Sequence, residues 1–171
     1  AARRRGARGF PAAAAAVPEG TPVAKLVAQR AQNYDTLFAL LESARVDREA
    51  IWALLKMLPP DARLTRMLSQ EQQEGAAIDW AAVLGDRASY HLLYSLELVR
   101  LSVPSEENSE DEYIANTEWC RAFVHRGGFS YLFVLLKQIA RVEERGRIEK
   151  ACLGQLLKIV FYFMRSELDA S

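Results

Sequence analysis

Residues 122–136 read AFVHRGGFSYLFVLL, with Gly127 and Gly128 set behind His125 and Arg126 and ahead of a strongly apolar run. The pair is either a loop that cradles phosphate or reacting groups, or an elbow between two packed helices. A dinucleotide or nucleotide loop needs more glycines at fixed spacing after a strand, and the chain holds neither GxGxxG nor GKS/T. The elbow has a direct physical account. A helix ending at Arg126 is closed by a following residue in the left-handed conformation, which glycine adopts without a Cβ clash, and the second glycine lets the next helix start at a sharp angle.

The sequence around the elbow is helical in pattern. Before it, EWCRAFVHR presents Trp119, Phe123 and Val124 on one edge, with Thr117 as the expected N-cap. After it, Phe129, Leu132, Phe133, Leu135, Leu136 and Ile139 recur at three- and four-residue spacing. A charged turn, RVEERGR, precedes a last helix expected over 147–168 with Ile148, Cys152, Leu156, Leu157, Val160, Phe161 and Met164 as its apolar positions.

Toward the N-terminus, Leu26, Val27, Tyr34, Leu37, Phe38, Leu40 and Leu41 form a helical stripe. Asp47 is the expected cap of REAIWALLKML, which Pro59 and Pro60 stop, and Asp61 is the expected cap of a short helix through Leu64, Met67 and Leu68. SQEQQEG at 69–75 reads as a connector, and a long helix is expected from about Asp86 to Ser102, ended by Pro104. No segment alternates in the β manner, so the fold class is all-α. A domain over 21–168 follows an Ala/Arg-rich tail, 1–20, whose composition predicts disorder.

An echo runs along the chain. LFALLESARVDREAIWALLKML at 37–58 and LFVLLKQIARVEERGRIEKACLGQLLKIV at 132–160 share the order LFxLL helix, turn with ARV and an acid, second amphipathic helix. Helix hairpins of this kind close their apolar faces by stacking, which predicts an α-solenoid of stacked hairpins. The helix–Gly–apolar pattern at 127 resembles the junction inside an armadillo repeat.

Composition narrows the function. Lys plus Arg and Asp plus Glu both number 22, and 50% of residues are hydrophobic, so no global charge draws the chain to nucleic acid, membrane or an acidic substrate. No apolar run approaches the ~20 residues that span a bilayer. Cys120 and Cys152 lack CxxC spacing and are expected as packed, reduced thiols, which fits a cytoplasmic or nuclear setting.

His91, Cys120, His125 and Cys152 match no zinc-finger spacing. Glu106, Glu107, Glu110, Asp111, Glu112 and Glu118 lack the order and turn glycine of a calcium loop, so an acidic surface loop is expected over about 103–116. No nucleophile signature pairs with either histidine, and His125 with Arg126 suits a helix C-terminus. No catalytic, cofactor-binding or metal residue is therefore predicted. Trp52 and Trp119 are expected in the core, and Trp80 is not assigned.

Several stretches together carry a family resemblance. IWALLKMLPPD has Trp-x-Leu-Leu-x-x-Leu-Pro, LLYSLELVRLSV has Leu-Tyr-Ser-Leu, and WCRAFVHRGGFSYLFVLLKQI has Trp-x-x-x-Phe-x-x-x-Gly-Gly-Phe, followed by KACLGQLLKIVFYF. In this order, over about residues 34–164, they resemble the armadillo-like helical region of the very large ubiquitin-specific proteases. The resemblance implies a noncatalytic scaffold segment of such an enzyme, one that positions substrates, adaptors or other ubiquitin-pathway proteins. The family's cysteine box contains Gly-Asn-Thr-Cys, which neither EWCRA around Cys120 nor KACLG around Cys152 matches, and a matching His box is missing too. The alternative is a free-standing armadillo-like adaptor unrelated to ubiquitin.

Overall fold

The computed structural model describes residues 22–43, 47–69, 78–105 and 107–168. The Ala/Arg-rich tail, the ARV of the first hairpin turn, most of the glutamine-rich connector and Glu106 lie outside them. Among the described residues the chain forms nine helices and no strand: α1 Val23–Ala28, α2 Ala31–Glu42, α3 Arg48–Met57, α4 Ala62–Leu68, α5 Trp80–Leu84, α6 Tyr90–Leu101, α7 Glu110–His125, α8 Gly128–Ala140 and α9 Arg147–Leu168. The all-α class is as the periodicity predicts.

Local chemistry sets most helix starts. Asp47 accepts from the Glu49 and Ala50 amides, Asp61 from Arg63, Asp79 from Ala82 and Ser89 from Leu92, each satisfying amides that have no partner within the helix. Ser89 starts α6 four residues later than the sequence suggests, because its hydroxyl supplies a cap that Asp86 does not. The expected acidic loop is also shorter. Ser109 and Glu112 form a capping box, and Glu110, Asp111 and Glu112 fill the first turn of α7, where the helix dipole favours carboxylates. Thr117 is consequently inside α7, its hydroxyl donating to the Tyr113 carbonyl at 2.8 Å, and is not a cap.

The packing joins two hairpins through a central helix. α2 packs on α3 and α8 on α9, while α6 contacts both α2 and α9. Leu92, Leu96 and Val99 of α6 are fully buried, as are Leu132 and Leu135 of α8 and Cys152 and Leu156 of α9. The apolar face of α9 runs through Cys152, Leu156, Ile159, Val160 and Phe163. Leu157, Phe161 and Met164, expected on that face, are 50%, 68% and 53% exposed. The helix is turned so that Ile159 and Phe163 take the interior instead.

The glycine pair is an elbow, with a different job for each residue. Gly127 has φ 83°, in the left-handed region, and its amide donates to the Val124 carbonyl at 3.0 Å, closing α7. Gly128 is the first residue of α8 and does not share the positive φ. A Cβ there would lie 2.5 Å from Cε2 of Phe123. That ring is held on several sides: stacked on Trp119 at 5.0 Å and Phe163 at 5.6 Å, and edge-on to Trp80 at 5.0 Å. Trp80, the residue the sequence left unassigned, is buried, and its indole N–H donates to the Arg126 carbonyl at 2.9 Å. The indole of Trp119 likewise donates to the Leu68 carbonyl at the end of α4.

Gly127→Ala is expected to lose about 1–2 kcal/mol through the strained left-handed backbone, and Gly128→Ala about 1–3 kcal/mol through overpacking against Phe123. Urea denaturation checks both. Combining Gly128→Ala with Phe123→Ala should lose less than the sum of the two single losses, because the clash then has no ring to meet. Unchanged stability in both single variants would refute the elbow.

Candidate partner-binding groove

A concavity lies where the two hairpins face each other. It is an open groove of about 690 Å³ between the start of α3, the start of α6 and the start of α9. Trp52 and Ala53 form one wall, Ile148 and Ala151 the other, and Tyr90 and Leu93 the floor. The rings of Trp52 and Tyr90 meet at 5.9 Å and 52°. A second hollow of about 460 Å³ shares Glu42, Ala88, Ser89, Ile148 and Glu149 with the first, so the concavity continues toward Val142.

The rim is mixed in charge, with Arg48 and Lys56 facing Glu42 and Glu149. Arg147 of α9 reaches across to Glu49 of α3, Nη1 to Oε1 at 2.6 Å. Both side chains are mostly exposed, so this ion pair adds little to stability and opens at small cost. An apolar aromatic floor under a polar, openable rim suits an extended or helical polypeptide better than a small polar metabolite.

The sequence echo predicts the hairpins but not this site. Arg147 and Glu49 are 98 positions apart, and only the stacking of both hairpins on α6 brings them together. The available signal was the echo itself, which makes the starts of α3 and α9 equivalent. These equivalent ends are the opposing walls.

The remaining chemistry-bearing residues have structural positions away from the groove floor. Cys120 and Cys152 are both free and buried, as expected. Burial pushes the Cys120 thiol up to about 12 and that of Cys152 to about 11, so both stay protonated near neutrality. Cys152 Sγ lies 3.6 Å from the Ser89 carbonyl. His125 is exposed in the last turn of α7, where the sequence placed it. Trp52 and Trp119 are partly buried, and Trp80 is the deeper indole. Among the described residues no group of His, Cys, Asp and Glu is arranged to hold a metal ion.

One polar cluster ties α2, α4 and α6 together. Buried Asp61 accepts from Arg63 through both oxygens, at 2.8 Å from the amide and 3.0 Å from Nη2. Arg63 also pairs with Asp35 at 2.7 Å, which holds the Asp35 carboxyl below its ordinary range. The Asp61 amide donates to the Tyr94 hydroxyl at 3.0 Å, and the Tyr34 hydroxyl donates to the Pro59 carbonyl. Both Asp61 oxygens are thus engaged in holding the turn, which is a structural role and leaves it poorly placed as a base.

His91 sits beside this cluster with its ring edge-on to Phe38 at 5.2 Å. Burial, the largest effect, lowers its pKa, with Asp61 and Asp35 opposing and Arg63 adding to the lowering. The unfolded chain therefore takes up the proton at higher pH than the folded chain. The folded state loses stability as pH falls from about 6.5 toward the depressed folded value. His91→Gln should flatten the melting temperature over that window relative to the wild type. Parallel pH profiles for the two proteins would contradict this assignment.

No helix among the described residues is long and apolar enough to cross a membrane. Comparison with protein-family models, curated proteins and solved structures finds no match to this chain.

Proposed function

We propose that this chain is a noncatalytic α-solenoid segment that holds partner proteins in the groove between its two hairpins, within a large ubiquitin-specific protease. The observation that carries the binding role is the groove itself: a Trp52 wall whose ring meets the Tyr90 ring of the floor, under the Arg147–Glu49 ion pair that spans the mouth. Two LFxLL hairpins stacked on one central helix are consistent with an armadillo-like solenoid. The link to deubiquitination rests on the ordered Trp-x-Leu-Leu, Leu-Tyr-Ser-Leu and Gly-Gly-Phe motifs. The elements that bear them are those that build the groove and the elbow.

The noncatalytic part of the reading has a chemical basis. A papain-like protease needs a thiolate paired with a histidine, exposed enough to reach an isopeptide carbonyl. Here both thiols are buried and held protonated, and His125 is exposed at the elbow while His91 packs on Phe38.

The isolated chain should be strongly helical by circular dichroism and inert toward a ubiquitin–aminomethylcoumarin conjugate. Turnover that disappears on Cys120→Ser or Cys152→Ser would overturn the noncatalytic reading. The reading frame that contains this chain should also encode a Gly-Asn-Thr-Cys box. A frame without one would leave the groove's binding role standing and replace the protease scaffold by a free-standing adaptor.

A further inference from the structure

The outer face of α9 has no partner among the described residues. Lys150, Gly154, Leu157, Lys158, Phe161 and Arg165 follow one another at helical spacing and are all exposed, with Met164 beside them. The inner face, from Cys152 to Phe163, packs on α6 and α8. The outer face therefore combines an apolar strip, Leu157, Phe161 and Met164, with three cations and no acid among its described side chains, in a chain whose total charge is zero. Gly154 stands in the middle of it, and a Cβ there would meet nothing within 4 Å. A helix interior is an unfavourable place for glycine, and no described residue uses the space it leaves. The helix surface between Lys150 and Lys158 is therefore open to an approaching side chain.

The complementary surface is on the same molecule. The first half of α7 exposes Tyr113 at 52% and Ile114 at 51%. Around them Glu110, Asp111 and Glu118 are exposed too, and Asp111, Ile114 and Glu118 share one helical face. This is an apolar pair edged by carboxylates, the counterpart of the α9 strip edged by lysine and arginine. The Phe123 ring of α7 stacks on the Phe163 ring of α9 at 5.6 Å, so α7 and the second half of α9 lie against each other. With both patches on one molecule, one two-fold axis forms both contacts at once and closes the assembly at two copies.

The geometry points to a homodimer in which the cationic apolar face of α9 in one copy docks on the acidic apolar face of α7 in the other, pairing Lys158 and Arg165 with Asp111 and Glu118. The contact is independent of the groove, which stays open for a partner protein. Its polar part is exposed at the rim, so association weakens with salt, while Phe161 and Ile114 form the apolar centre.

Sedimentation equilibrium of the intact chain tests this at about 50 mM and about 500 mM salt. The expected result is a reversible dimer whose dissociation constant rises about tenfold or more at the higher salt. Phe161→Asp should give a monomer with unchanged helicity, because that ring is 68% exposed in the single copy. The double variants Lys158→Glu/Arg165→Glu and Asp111→Lys/Glu118→Lys should each be monomeric alone. Mixed together they should form a heterodimer, since every pair is then opposite in charge. A monomer at all concentrations in low salt, a dimer indifferent to Phe161→Asp, or failure of the charge-reversed pair to associate would each overturn the proposal. In the first case the α9 face is left for a different acidic helix.

Discussion

The Phe123 ring occupies the space that a side chain at residue 128 would fill, and the rest of the architecture follows from that contact. Because residue 128 has no side chain, α8 begins directly against the ring, and the direction of α8 is fixed relative to α7. α9 returns along α8 and lands on α6, which places its first turn opposite α3. The groove is thus set at a distance by an aromatic ring and a missing methyl group. The left-handed Gly127 permits the bend, but the ring gives it one angle.

The aromatic residues here do two jobs at once. Their rings fill the interior, each aromatic pair adding on the order of 1 kcal/mol beyond its buried area. Their polar atoms meanwhile satisfy carbonyls at the ends of helices that are far away in sequence. Trp80 serves the end of α7, Trp119 the end of α4, Tyr131 the end of α5 through the Gly85 carbonyl, and Tyr34 the turn after α3 through Pro59. Short helices such as α4 and α5 have too few internal bonds to persist alone. Their ends are held by indole and phenol groups from neighbouring helices, which makes the stability of each element depend on the others.

The sequence errors have the same physical origin. α5 is five residues long, too short for periodicity to register, yet it delivers the most buried indole. On α9 the apolar residues outnumber the positions that a single buried face accepts. Leu157, Phe161 and Met164 have the right character for the interior, and only the placement of α6 and α8 decides that Ile159 and Phe163 occupy it. The acidic stretch looked like a solvated loop because six carboxylates suggest hydration. Three of them instead sit where an N-terminal helix turn favours negative charge. Of the groove, the sequence carried only the two similar hairpins. It carried no sign of the Trp52–Tyr90 contact or the Arg147–Glu49 pair.

By itself the sequence determined the class of the fold, the Asp47 and Asp61 caps, the stop at Pro59 and Pro60, the elbow at Gly127 and the packed state of both thiols. These are local matters: a capping oxygen, a missing amide hydrogen, a permitted φ, an apolar sulfur in a helical stripe. Tertiary structure alone decided which side of α9 is buried, why Gly128 is glycine, and that the starts of α3 and α9 face each other across α6. Those outcomes depend on which surfaces meet, and a one-dimensional pattern of polar and apolar residues does not hold the distances between surfaces.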